Sequence, residues 1–146
     1  MNEEDKYLFD LTGYLVLRDV LTGEEVAELN AGIDHHRDQM KEIDRTLAGD
    51  SDALKGTSRR KDLGGMLAWE RPWGEPFRKL LVHPVVVSRL NEFSGKGFRL
   101  DHGPLLISAQ KGAEGHRMHG GGEPFSQSVW YHQQNGRIIC RGITVA

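Results

Sequence analysis

Apolar positions recur at two different periods along the chain, and the change comes near residue 94. Tyr14-Leu15-Val16-Leu17 is a short β-type run after Gly13, and Asp19 to Thr22 lead out of it towards a helix. Thr22 and Glu25 have capping-box spacing, in which a hydroxyl accepts from the backbone three residues on while the carboxylate reaches back. Val26, Leu29, Ile33 and Met40 follow at helical spacing, with Glu24, Glu28, Asp34 and Asp38 elsewhere around the cylinder, which predicts a helix over 23–42. Pro76, Phe77, Leu80 and Leu81, then Pro84, Val85, Val86 and Leu90, predict a helix or a broken pair over 76–93. Between these helices, 46–75 is rich in Gly, Ser and charge and reads as loop.

After Ser94 the runs are short, β-branched or aromatic, and broken by Gly, Pro and Asn: Phe98 to Leu100, Leu105 to Ala109, Ser128 to His132 and Arg137 to Ala146. Asn135-Gly136 between two such runs predicts a tight hairpin, because both residues tolerate positive φ. Helices first and antiparallel strands afterwards indicate an α+β fold, mainly helical over 1–93 with a short first strand and β-rich over 94–146. Ile143-Thr144-Val145-Ala146 is a strand-forming run on which the sequence stops. An unpaired apolar edge is costly, so the expectation is a single domain that forms the N-terminal part of a longer protein.

Composition narrows the function classes. The 146 residues carry 19 Lys+Arg against 21 Asp+Glu, a formal charge of -2, which argues against a nucleic-acid partner because phosphate binding needs concentrated positive charge. Cys140 is the single cysteine, so an internal disulfide and a C-x-x-C zinc site are excluded. The acidic MNEEDKYLFD start lacks signal-peptide character, and no apolar run approaches the roughly 20 residues that span a bilayer. A cytoplasmic protein without a membrane partner is expected. Charge is uneven, however: residues 1–50 hold 13 acids and 5 bases, whereas 51–100 hold 5 acids and 10 bases. Arg59, Arg60 and Lys61 beside Gly56, Thr57 and Ser58 are a charged surface loop with some capacity for an anionic group.

Among the histidines, His35 and His36 are adjacent on a helix, where consecutive side chains diverge, so a shared metal is not expected. His83 precedes Pro84 at a helix entry, where a capping role is expected. The segment Glu114-Gly115-His116-Arg117-Met118-His119-Gly120-Gly121-Gly122-Glu123 holds the close pair His116 and His119 among small residues. Two imidazoles without a third ligand make a poor metal site, and a Gly-rich turn between strands is the competing reading. Gly120-Gly121-Gly122 lacks the spacing and the Lys of a phosphate loop. Cys140 in Ile138-Ile139-Cys140 reads as a buried inert thiol. Trp130 and Tyr131, adjacent on a predicted strand, point to opposite faces.

The stretch Phe9-Asp10-Leu11-Thr12-Gly13-Tyr14-Leu15-Val16-Leu17-Arg18-Asp19-Val20-Leu21-Thr22-Gly23-Glu24-Glu25-Val26 resembles the start of phytanoyl-CoA dioxygenase family proteins. Gly103-Pro104-Leu105-Leu106-Ile107, then a polar loop and Met118-His119, resembles the approach to that family's iron site. The resemblance covers most of the chain and is weakest over 43–75. It implies N-terminal helices packed on a double-stranded β-helix, the jelly-roll or cupin-like barrel, of which this sequence would hold only the first part. It also implies Fe(II), with 2-oxoglutarate and dioxygen as co-substrates and a small-molecule substrate. Two His and one carboxylate on one face of the iron leave the other positions for the oxoacid and oxygen.

Carried over position by position, His119 matches the first histidine of the family's His-x-Asp motif, and Gly121 stands where the carboxylate belongs. Glu123 supplies a carboxylate two positions later and is the second expected metal ligand. Alternatively, the small residue admits an anion or water, as in related iron halogenases, or the site has lost its metal and the domain is a non-catalytic binding or interaction module. Ser108, Gln110 and Tyr131, on strands that the resemblance places towards the barrel mouth, are the expected co-substrate or substrate contacts. The distal histidine and the cation that anchors 2-oxoglutarate have no match here. A fragment of this kind is expected to be inactive alone.

Overall fold

The computed structural model describes residues 2–119 and 129–146. The chain packs as two compact units, each built from discontinuous segments: Met1–Thr22, Leu81–Leu100 and Gly120–Ala146 form one, and Gly23–Leu80 with Asp101–His119 form the other. This division cuts across the helical and β-rich halves expected from sequence. Helices and small antiparallel sheets are both present, in keeping with α+β, and the described strands form no closed barrel.

In the first unit, helix α1 (Glu3–Thr12) is an element the apolar pattern does not predict. Its signals are polar. The Asn2 side chain accepts from Asp5 N at 2.7 Å, Glu3, Glu4 and Asp5 place negative charge at the positive end of the helix, and Gly13 closes it at φ 78°. Phe9 on α1 stacks on Phe93 at 4.0 Å between ring centroids, and both rings are buried. Phe93 ends helix α4 (Pro84–Phe93), which begins on Pro84 as expected. His83 precedes it without a side-chain cap, its carbonyl alone accepting from Val87 at 2.9 Å. Lys6 bridges α1 to α4 through Glu92 at 2.8 Å.

The hairpin of the same unit comprises β4 (Tyr131–Gln134) and β5 (Arg137–Cys140), antiparallel with Tyr131 opposite Cys140 and Gln134 opposite Arg137. Asn135 at φ 54° and Gly136 at φ 73° make the turn the sequence predicts. Trp130 lies under the Arg141 guanidinium, 5.6 Å from the ring centroid. The Tyr14–Leu17 and Ile143–Ala146 runs, expected as strands, join no ladder. Tyr14 and Val16 are exposed while Leu15 and Leu17 are half-buried, so the alternation survives without a pairing partner.

In the second unit, helix α2 (Gly23–His35) is shorter than expected, giving way to a 3-10 turn at Arg37–Gln39 and to strand β1 (Lys41–Glu42). The break comes at a run of polar residues, where no apolar stripe rewards further helix. β1 pairs with β2 (Lys61–Leu63), and β2 with β3 (Leu106–Ser108), all antiparallel, with Lys61 opposite Ser108 and Leu63 opposite Leu106. Helix α3 (Glu75–Leu80) packs against α2. The 46–75 stretch that reads as loop supplies much of the core: Leu63, Met66 and Trp69 are buried with Phe77, flanked by Leu29, Ile33, Met40, Leu67, Trp73 and Leu106. Its apolar side chains follow no helical or strand period because they project from turns and from the three-residue β2.

Two contacts define this packing. A side chain at Gly32 would meet the Trp73 carbonyl at 2.9 Å and the Phe77 ring at 3.1 Å, so α2 approaches its neighbours at a distance only glycine allows. Arg78 Nη1 donates to the carbonyls of Leu67 at 2.8 Å and Trp69 at 3.1 Å, satisfying turn groups that no ladder serves. Leu63 sits at the centre, 2% exposed. Leu63→Ala is therefore expected to cost about 2–5 kcal/mol, as for other buried leucines, measured as a lowered urea midpoint by tryptophan fluorescence.

Candidate functional site

The segment carrying His116 and His119 is held by the backbone of the 46–58 region. Glu114 N donates to Ser58 O at 2.9 Å, Gly115 N to Leu54 O at 2.8 Å and Arg117 N to Leu47 O at 3.0 Å. Glu114 adds its side chain: Oε1 accepts from Leu47 N at 2.8 Å and Oε2 from the Thr46 hydroxyl at 3.0 Å. Gly56 permits this approach, since a Cβ there would lie 2.2 Å from Glu114 N. The donated backbone N–H, then the Thr46 hydroxyl and the charge of Arg59, hold the Glu114 carboxyl below its ordinary range.

His119 is exposed, and its Nδ1 lies 3.0 Å from the Arg117 carbonyl. That oxygen only accepts, so Nδ1 carries the proton and Nε2 keeps its lone pair, the form in which imidazole binds metal. The rings of His116 and His119 stack at 4.0 Å. Packing on one side of the ring, then His119 and the guanidinium groups of Arg60, Arg45 and Arg117, hold His116 below the usual histidine range. His116 is exposed overall, so the burial contribution is one-sided and the nearby cations supply the rest. An imidazole such as that of His119 is a donor type that suits iron(II). Gly121 and Glu123 lie outside the described residues.

The other expected contacts divide between the units. Ser108 is on β3, half-buried, and Gln110 is exposed in the following turn, where its carbonyl accepts from Ala113 N at 2.9 Å. Both belong with His119 to the second unit, whereas Tyr131 belongs to the first. The Tyr131 hydroxyl donates to Asp10; burial, then that contact, pushes it up to about 12. Cys140 donates its thiol to Gly142 O at 3.2 Å, and burial raises it above the ordinary thiol range, in keeping with an unreactive role. Of the basic cluster, Arg60 is engaged internally. Its Nη2 donates to Asp62 Oδ2 at 3.0 Å, while Nε approaches Oδ1 at 2.9 Å as an ionic contact whose N–H points off the line. An open cleft of about 450 Å³ is lined by Gln39, Lys41, Asp62, Leu63 and Gly64, a volume on the scale of a small molecule.

The expectation that His35 and His36 diverge is overturned. His36 leaves helical geometry at φ -107° and ψ 13°, so the uniform rotation between consecutive helical side chains no longer applies. His35 Nε2 and His36 Nε2 face the two oxygens of Glu70 at 3.8 and 3.7 Å. The ligand atoms of the three residues lie within 4.8 Å of one another, the one such His, Cys, Asp or Glu trio among the described residues. Sequence reasoning misses Glu70, which lies in the stretch read as loop; the two tryptophans flanking it, Trp69 and Trp73, are the signal that this stretch is packed. Comparison with protein-family models, curated proteins and solved structures finds no match. No helix among the described residues is long and apolar enough to cross a membrane.

Because the folded-state carboxyl of Glu114 is depressed, its contribution to stability is fully present above the unfolded glutamate value of about 4.3. It is lost as pH falls through the lower folded value. Glu114→Gln is expected to lower the urea midpoint at pH 7, with the gap to the parent protein closing as pH is taken below the glutamate range. A gap that does not change with pH would show that charge has no part in anchoring this segment.

Proposed function

We propose that this chain is the N-terminal portion of an iron(II)/2-oxoglutarate-dependent dioxygenase that acts on a small molecule in a hydroxylase-like manner. The observation that carries the reading is His119. It stands at the position of the first metal-binding histidine in the resemblance, and its proton is committed to the Arg117 carbonyl, leaving Nε2 as a donor. His119 and Glu123 would hold the metal. Iron(II), with 2-oxoglutarate and dioxygen, supplies oxidative attack on an unactivated C–H bond, yielding succinate and carbon dioxide.

The chain's own residues have three tasks. The Glu114 contacts to Thr46 and Leu47 fix the histidine segment to the core of its unit. Packing against the His116 ring, then the cations of Arg60, Arg45 and Arg117, disfavour its protonation, and the same cations favour the approach of a dicarboxylate. Ser108 and Gln110, in the same unit, are the polar groups offered to co-substrate or substrate. A second reading, a barrel-type binding module without metal, is favoured by Gly121, which has no side chain to ligate.

The two readings separate in the longest reading frame that contains this sequence. Supplied with iron(II), 2-oxoglutarate and oxygen, that protein is expected to release succinate, and His119→Ala is expected to reduce the rate by more than about 100-fold, beyond the range typical of residues that only support a ligand. Absence of succinate, or equal release by the His119→Ala form, overturns the dioxygenase reading.

A further inference from the structure

The meeting of His35, His36 and Glu70 brings three potential metal ligands to one point, their ligand atoms all within 4.8 Å of one another. His36 Nδ1 lies 2.9 Å from the Gly32 carbonyl, an acceptor, so the ring proton sits on Nδ1. Nε2 is thereby turned towards Glu70 Oε2 at 3.7 Å, while His35 Nε2 approaches Oε1 at 3.8 Å. Both separations exceed a hydrogen bond. Two ring nitrogens and a carboxylate thus converge on one point.

The neighbouring cations are directed elsewhere. Arg37 pairs with Asp34 at 2.9 Å and Arg71 with Glu75 at 3.0 Å. One divalent ion neutralises the carboxylate while both imidazoles stay neutral.

From this geometry we infer a transition-metal site of the zinc class, with His35 Nε2, His36 Nε2 and Glu70 as ligands and the remaining position open to water. Two imidazoles and a carboxylate are a ligand set that suits zinc, cobalt, nickel or iron(II). The rings are oriented in advance: His36 lies flat on Trp69, 3.8 Å between centroids and 5° between planes, and His35 stacks on Trp73 at 4.3 Å and 15°. The Nδ1 bond to Gly32 is the supporting contact that fixes the tautomer of a ligating histidine. Bonds of about 2.0–2.1 Å in a tetrahedral site put ligand atoms roughly 3.4 Å apart, so the present spacing closes with about an ångström of movement. Glu70, whose side chain is 66% exposed, is free to make it, and the half-exposed His35 leaves the ion a way in. This site uses none of the residues assigned to the dioxygenase reading and stands or falls separately from it.

Zn(II) titration by calorimetry and Co(II) titration by visible absorption and tryptophan fluorescence test the assignment. One ion that quenches the emission of Trp69 and Trp73 is expected with Co(II). Glu70→Gln and His35→Gln change exposed positions, and near-UV circular dichroism checks that they fold. Each is expected to weaken binding of the quenching ion more than about tenfold, whereas Arg37→Gln, at an exposed residue paired with Asp34, leaves it unchanged. Absence of binding near neutral pH, equal quenching affinity in the Glu70→Gln and His35→Gln forms, or loss of the quenching in Arg37→Gln overturns the site. So do His36 ring resonances that titrate as a simple imidazolium–carboxylate pair and do not move with Zn(II).

Discussion

Trp69 is where the packing of the second unit converges, and most of its geometry follows from how that indole is satisfied. One face of the ring takes His36 in parallel contact, and the Phe77 ring meets it edge-on at 5.3 Å and 88°. The backbone carbonyl of the same residue is taken by Arg78. A large aromatic carries much of the apolar area a small unit can bury, and its flat faces dictate where neighbours sit. The close pass of α2 at Gly32, the turn at Met66–Ala68 and the start of α3 are all arranged around it.

The same contact links the core to chemistry. A histidine laid flat on a buried indole cannot swing, so its edge points in one direction, and in His36 that direction is towards Glu70. Rigid rings are what a ligand set needs, since looseness of an ångström is enough to lose a metal site. The His116 and His119 segment is held by different means, through backbone hydrogen bonds and the Glu114 carboxylate rather than aromatic packing. Its imidazoles lie at the surface, with guanidinium groups as neighbours. One unit therefore presents two kinds of imidazole setting, a packed one and an exposed, cation-flanked one.

Several elements were legible in the residues because their causes are local. Pro84 opens α4, Asn135-Gly136 turns the hairpin, and β3 falls within the Leu105–Ala109 run. Each depends on backbone preferences of a few consecutive positions. α1 was equally legible from Asn2, its acidic first turn and Gly13, but those are polar signals that a search for apolar periods passes over. β1 and β2 were not legible: two- and three-residue strands have too few positions to display alternation, and β2 is a strand because β3, from more than forty residues away, and β1 pair with its two edges. The histidine segment stood out by its spacing, whereas the His35–His36–Glu70 trio did not, because a helical reading of 23–42 sends the two imidazoles apart.

What the residues determined alone was the class of the molecule, its mix of helices and short antiparallel strands, its near-neutral charge and the single unpaired thiol. These follow from composition and from preferences that act over a few positions. Tertiary structure alone decided that residues 46–75, irregular as expected, supply core side chains, and that a glutamate 34 positions beyond His36 comes to face it. Those outcomes depend on burying Trp69, and burial is a property of what surrounds a residue, which no local pattern encodes.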